Sequence, residues 1–193
     1  MEKPAPNHYD AVAVVLHWAM ALGIFALIVV GLAMKHADIP KNRLFIYFQA
    51  HKSIGILILL LAVLRLVWRL AHRPPPLPFS MSALERGAAH AGHLLLYLFM
   101  FALPLTGWAS VSTSPRNIPT VLFGAIPWPH ISFLAELPDK APVHAVVEAL
   151  HKYGAYMLIV VLIGHIAFAL RHAVKGDVPL SRMSLFGAGN KAK

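Results

Sequence analysis

The sequence predicts an all-α membrane protein, a bundle of four transmembrane helices, and three observations carry that prediction. Hydrophobic residues make up 58% of the 193 and charged residues 13%, about half the share of an ordinary soluble domain, roughly 25%. Mean hydropathy is +0.64. Four apolar runs each exceed the roughly 20 residues that cross a bilayer as a helix, and together they fill most of the chain. Disorder is excluded, because disordered chains are poor in apolar residues. No repeat of about 20 to 50 residues points to a solenoid. The chain has no cysteine, which excludes disulfides, thiolate zinc sites, iron–sulfur clusters and thioether-linked c-type haem.

The first span is expected over residues 11–34, with His17 its one strongly polar residue. Its length and that histidine set it apart from a cleaved signal peptide. The second, 44–70, carries Gln49, His51 and Lys52 near its start and Arg65 and Arg69 near its end. The third, 84–111, has His90 and His93 early and Pro104 later; the proline is expected to kink it. The fourth, 143–174, holds His151 and His165. Residues 35–43 form a short first connection, and Pro74-Pro75-Pro76-Leu77-Pro78 a stiff second one. The third connection, 112–142, contains six prolines with Phe123, Trp128 and Phe133. Aromatics among prolines in a long membrane connection indicate a segment lying at the interface. The whole of 1–193 reads as one domain.

The net charge of +9 does not indicate nucleic acid, because the basic residues flank apolar runs rather than line one face. Lipid is the partner they fit. One side of the bundle collects Lys3, Arg65, Arg69, Arg73, Arg86, Arg171, Lys175, Arg182, Lys191 and Lys193. The other collects Lys35, Lys41, Arg43, Lys52, Arg116, Lys140 and Lys152. The excess places both termini in the cytoplasm.

An ionisable side chain inside a span is costly and is a functional candidate by default. Here the histidine depths agree. His17 and His165 share a level near the cytoplasmic end, and His51 and His151 one near the outer end. His151 and His165 are 14 residues apart, which is about 40° short of four helical turns and roughly 21 Å along the axis. Two rings so far apart cannot share one ion. They can each give one axial ligand to two stacked cofactors, completed by His17 inside and His51 outside. Such bis-histidine ligation in a helical bundle suits two b-type haems. A proton relay would recruit Asp or Glu, and Asp10, Glu85 and Glu148 all lie near helix ends. Zinc would need three or four converging ligands.

His90 and His93 also lie at the inner level, where either can replace His17 or His165, or bind a propionate or substrate instead. Arg65 follows His51 by 14 residues, so it falls on the same face at the inner level. There it either pairs with haem propionates or snorkels to head groups. His172 follows His165 by seven residues and lies two turns below it, placed to reach a quinone carbonyl or to be solvated. Gly23, Gly55, Gly107 and Gly164 let a flat macrocycle approach the backbone, or simply let helices pack. His144 and Lys52 give the outer mouth positive character.

With these motifs in place, the chain resembles the bacterial cytochrome b561 family, di-haem four-helix proteins of the inner membrane. The resemblance runs from Val15-Leu16-His17-Trp18 through His51-Lys52-Ser53-Ile54-Gly55 to Ala91-Gly92-His93-Leu94. It continues through His151-Lys152-Tyr153-Gly154 and Gly164-His165 to a basic tail with Leu180 through Met183. It implies that His17 pairs with His165 at the inner haem and His51 with His151 at the outer. The same 14-residue pair occurs in the membrane cytochrome subunit of formate dehydrogenase, where quinone is reduced near the cytoplasmic haem. One branch of the family is a superoxide oxidase, passing electrons from superoxide outside to ubiquinone, and there the position of His172 contacts quinone. The stretch from His51 to Gly55 and the long third connection are closer to a sister branch. The expected function is electron transfer between a periplasmic donor and ubiquinone or another quinone. Superoxide oxidase activity, or a cytochrome anchor for a periplasmic redox protein such as a dehydrogenase, are the alternatives. A transporter or proton pathway without haem is the reading from another class.

Overall fold

The computed structural model describes residues 8–72, 74–176 and 180–183. Lys3, Arg73, Lys191 and Lys193 of the charge count lie outside the described residues. Four long helices dominate: α1 Ala11–His36, α2 Lys41–Ala71, α3 Ala83–Thr113 and α5 Ala141–Lys175. Between α3 and α5 lie strands β1 Thr120–Leu122 and β2 Ile126–Trp128 and the one-turn helix α4 Ser132–Ala135. A 3-10 turn, Leu180–Met183, follows α5.

Each long helix exceeds its apolar run because polar residues add the terminal turns. Asp10 caps α1 by accepting the Ala13 N–H at 2.9 Å, which satisfies one of the orphan donors of the first turn. Lys41, Asn42 and Arg43 prefix the apolar part of α2 after Pro40. Ser82 and Glu85 form a reciprocal capping box at the start of α3. Pro104 sits inside α3, which nevertheless runs on to Thr113. Pro142 lies in the first turn of α5, and Gly176 ends that helix at φ +77°, a left-handed position that only glycine adopts cheaply.

All four long helices are long and apolar enough to cross a membrane. In their apolar stretches only 17% of residues are buried in α1, α2 and α3, and 6% in α5. The outward apolar faces therefore meet lipid, since a soluble protein does not expose so continuous a surface. The fold is a four-helix membrane bundle.

Inside, a small core joins Met20, Ile58, Ala62 and Met100, bordered by Ile24, Leu27, Ile54, Leu61, Tyr97 and Phe101. It lies where α1, α2 and α3 meet. Backbones approach closely between α1 and α2, α2 and α3, and α3 and α5. Among the described residues α1 and α5 make little such approach and face each other through histidine rings instead. At the same end of these helices, Trp18 Nε1 donates to the Met183 carbonyl at 2.8 Å and Tyr9 N–H to that of Arg182 at 3.4 Å. An Arg182 guanidinium nitrogen donates to the Pro76 carbonyl at 3.0 Å. The segment before α1, the proline linker and the segment after α5 thus share one end of the bundle.

Ala62 is fully buried against three larger side chains. Ala62→Leu is expected to destabilise the bundle by about 1 to 3 kcal/mol through overpacking. A thermal melt of the purified protein in detergent checks this, with the half-exposed Val67→Leu as a control that leaves the midpoint in place.

Candidate functional site

The histidines of the spans gather at two levels. At one, the rings of His51 and His151 stand 6.1 Å apart, centroid to centroid, with planes at 80°. At the other, His17 and His165 stand 6.4 Å apart at 55°. Two imidazoles on opposite sides of one ion, each bonded at about 2.0 Å, leave their centroids roughly 6 Å apart. Both pairs have that spacing. Among the described residues no group of three or more His, Asp or Glu side chains is placed to hold one metal ion.

The surroundings of each pair differ. His151 Nδ1 lies 2.9 Å from the Leu103 carbonyl, so Nδ1–H donates and Nε2 keeps its lone pair, the tautomer an axial ligand needs. Thr106 Oγ1 approaches the same nitrogen at 3.4 Å while donating to the Ala102 carbonyl at 2.7 Å. Gly107 makes room for the ring: a Cβ there would stand 3.0 Å from Cε1 and 3.2 Å from Nδ1 of His151. At Gly31 a Cβ would stand 3.4 Å from Cε1 of His51, in ordinary contact, so that ring also lies against a glycine of α1. The Nδ1 of His51 is buried without a hydrogen-bond partner among the described residues.

At the inner level Arg65 reaches His17, with a guanidinium nitrogen 3.4 Å from Nδ1. Its other terminal nitrogen, NH1, is buried without a partner among the described residues. A half-buried cation in that condition calls for an anion, and a haem propionate has the chemistry to supply one. His93 stands 5.7 Å from the His165 ring, so three imidazoles share this level, while His90 is exposed. Arg69 lies over the ring of Tyr97 at 5.6 Å. A Cβ at Gly55 or Gly164 would meet open space. Gly23 has a different role, since a Cβ there would stand 2.8 Å from Ile58 Cδ1, and it serves the packing of α1 on α2.

His172 is 1% exposed and its ring lies 4.4 Å from that of Phe168, tilted by 46°. Its Nε2 lies 3.8 Å from Glu85 Oε1, which also receives Arg171 at 3.4 Å and Lys175 at 3.5 Å. The capping box holds the other carboxylate oxygen, which accepts from Ser82 N–H and Oγ at 3.0 Å. At the opposite end, Lys52 turns away from the histidines to donate to the Pro119 carbonyl at 3.1 Å. His144 Nδ1 lies 3.2 Å from Thr113 Oγ1 and 3.1 Å from the Ser110 carbonyl. The positive outer mouth expected from Lys52 and His144 is therefore tied into loop and helix contacts.

Three participants escaped the reading of spacing: Gly31, the Leu103–Thr106 support of His151, and Glu85. A signal for the first existed. Gly31 follows His17 by 14 residues, and Gly107 follows His93 by the same interval. Each long helix thus carries one residue of the inner level and one of the outer: His17 and Gly31, Arg65 and His51, His93 and Gly107, His165 and His151. The Leu103 carbonyl has no side-chain signature. Glu85 was visible only as an acid near a helix end.

Comparison with known proteins agrees with this architecture. The family described as prokaryotic cytochrome b561 matches residues 8–184. The chain is 34% identical to cytochrome b561 homolog 2 of Escherichia coli (strain K12), over 92% of this chain and 92% of that protein. It is 29% identical to the probable superoxide oxidase CybB of Yersinia pestis, covering 91% and 94% respectively. It is 23% identical to cytochrome b561 homolog 1 of Escherichia coli (strain K12), covering 92% and 97%. The chain belongs to the prokaryotic cytochrome b561 family, multi-pass membrane proteins of electron transfer whose cofactor is b-type haem.

Proposed function

We propose that this chain carries electrons across a bacterial inner membrane between a periplasmic donor and the quinone pool. Two b-type haems serve it, one held by His51 and His151, the other by His17 and His165. The observation that carries this reading is the recurrence of one imidazole-pair spacing at two depths, 6.1 and 6.4 Å. Haem iron supplies reversible one-electron chemistry, and the protein supplies ligation, orientation and access.

The residues divide that work. The Leu103 carbonyl fixes the tautomer of His151, and Gly31 and Gly107 let two rings lie against neighbouring backbones. Arg65 binds a propionate carboxylate, and His93 supports the inner group beside His165. His172 hydrogen-bonds the quinone at the cytoplasmic end, where Glu85 holds its Nε2 side against Arg171 and Lys175. Both termini are cytoplasmic in this reading, and 1–193 acts as a single domain. Its lipid partner is the surrounding bilayer.

The probable superoxide oxidase among the relatives supports a second reading, with superoxide as donor and ubiquinone as acceptor. Superoxide generated outside proteoliposomes separates the two. Quinone reduction by the lone protein, abolished by superoxide dismutase, favours the oxidase. A requirement for a secreted redox protein favours the donor-coupled cytochrome, or an anchor for a periplasmic dehydrogenase.

Pyridine haemochrome of the purified protein should give about two b-type haems per chain. His51→Ala or His151→Ala should each lower that to about one, as should His17→Ala or His165→Ala; retention of both haems in all four variants would falsify the pairing. Gly107→Val fills the space of the His151 ring and should remove the same haem as His151→Ala, identified by its spectrum and potential. His172→Leu should keep both haems and slow quinone reduction on the order of tenfold, the worth of one hydrogen bond. Stopped-flow haem oxidation by added quinone reads that rate.

A further inference from the structure

The connection between α3 and α5 forms a hairpin whose physics does not suit water. Strands β1 and β2 pair antiparallel, Thr120 with Trp128, Val121 with Pro127 and Leu122 with Ile126. At the tip, Phe123 and Gly124 have φ of +51° and +73°, and the Ala125 N–H donates to the Leu122 carbonyl at 3.0 Å. Both central residues are left-handed, as a type I′ turn requires. Glycine accepts that conformation, whereas for a bulky aromatic residue it is an outlier. Phe123 is nevertheless there, and it is 63% exposed. In water its side chain would gain nothing to offset the strained backbone.

The backbone polar groups are treated as lipid demands. Val121 N–H donates to Gln49 Oε1 at 3.4 Å, and Phe123 N–H to Ser53 Oγ at 2.9 Å. The Pro119 carbonyl accepts from both Gln49 Nε2 and Lys52 Nζ, and the Pro129 carbonyl from Trp108 Nε1. Ile131 N–H donates to Ser112 Oγ at 2.9 Å. Pro127, opposite Val121, has no N–H to leave open. Irregular backbone persists at membrane depth only when such groups are satisfied by protein.

Depth agrees. Ser53 lies two residues further into the span than His51, whose ring touches the Gly31 position five residues inside the end of α1. Trp108, which binds Pro129, is likewise five residues inside the end of α3. Five residues are about 7 Å of helix, so the tip sits below the ends of α1 and α3. Ile126, in the strand after the tip, and Phe133, in α4, are exposed as well.

We infer that the hairpin is a membrane-embedded element: Phe123, Ile126 and Phe133 insert among phospholipid acyl chains in the leaflet on the His51–His151 side, pinned to α2 by Gln49, Lys52 and Ser53. The occupant is acyl chain, because the tip lies below helix ends that themselves face lipid.

The chain lacks cysteine, so single cysteines can be labelled without background. Phe123→Cys, Ile126→Cys and Arg116→Cys are spin-labelled in the holoprotein and reconstituted in phosphatidylcholine–phosphatidylglycerol vesicles. Collision with oxygen and with a water-soluble nickel chelate is then read by power saturation. Labels at 123 and 126 should meet oxygen more often, and nickel several-fold less often, than the label at 116. Nickel access equal to that at 116 would place the tip in water and overturn the inference. Protection from both probes would mean a protein cover, a second copy or a partner, and would overturn it equally. Should Phe123→Cys fail to fold, Ile126→Cys and Phe133→Cys give the same readout.

Discussion

An α-helix returns to almost the same direction after 14 residues, and that geometric fact organises this molecule. At 100° per residue the mismatch is about 40°, and the rise is roughly 21 Å. A bilayer core of about 30 Å leaves room for two levels at that separation and not for a third. All four long helices use the interval, though with different residues. The result is two layers of four positions, one lined by His51, His151, Gly31 and Gly107, the other by His17, His165, His93 and Arg65.

The layers are chemically unequal. Glycine occupies two positions of the first, so its imidazoles lie close against the backbones of α1 and α3, with the Leu103 carbonyl steering one of them. The second layer carries a guanidinium and a third imidazole. A fixed cation near a redox group favours its reduced form, and a low-dielectric surrounding strengthens the effect. Part of that bias is removed where a carboxylate pairs with the guanidinium. The two layers are therefore electrostatically distinct, as two identical layers would not be.

Much of this was legible from residue order. Apolar runs gave four spans, because the bilayer demands a length and a composition that few soluble segments meet. Histidine positions gave the two levels, because a polar group inside a span stands out against its neighbours. The remainder was hidden for physical reasons. A backbone carbonyl such as that of Leu103 leaves no mark in side-chain identity. Lys52 lies beside His51 in the chain, yet 100° around the helix it faces the hairpin, so adjacency misplaced its charge. Glu85 was readable only as an acid near a helix end, and spacing along the chain did not show that one of its oxygens gathers Arg171, His172 and Lys175. The hairpin was invisible because no Asn-Gly or Asp-Gly marks its turn, and Phe-Gly is a poor turn former in water.

The small core points to the last step. A cluster of buried side chains joins α1, α2 and α3, whereas among the described residues α5 meets α1 mainly through imidazoles. In lipid the hydrophobic effect does not drive helices together, so association rests on packing and on polar contacts. In the proposed ligation, a haem held from α5 and from α1 or α2 would supply that cross-link. Ligand binding to the folded form alone adds RT ln(1 + [L]/Kd) to stability. Haem bound in that way would stabilise the bundle where, among the described residues, α1 and α5 approach each other least.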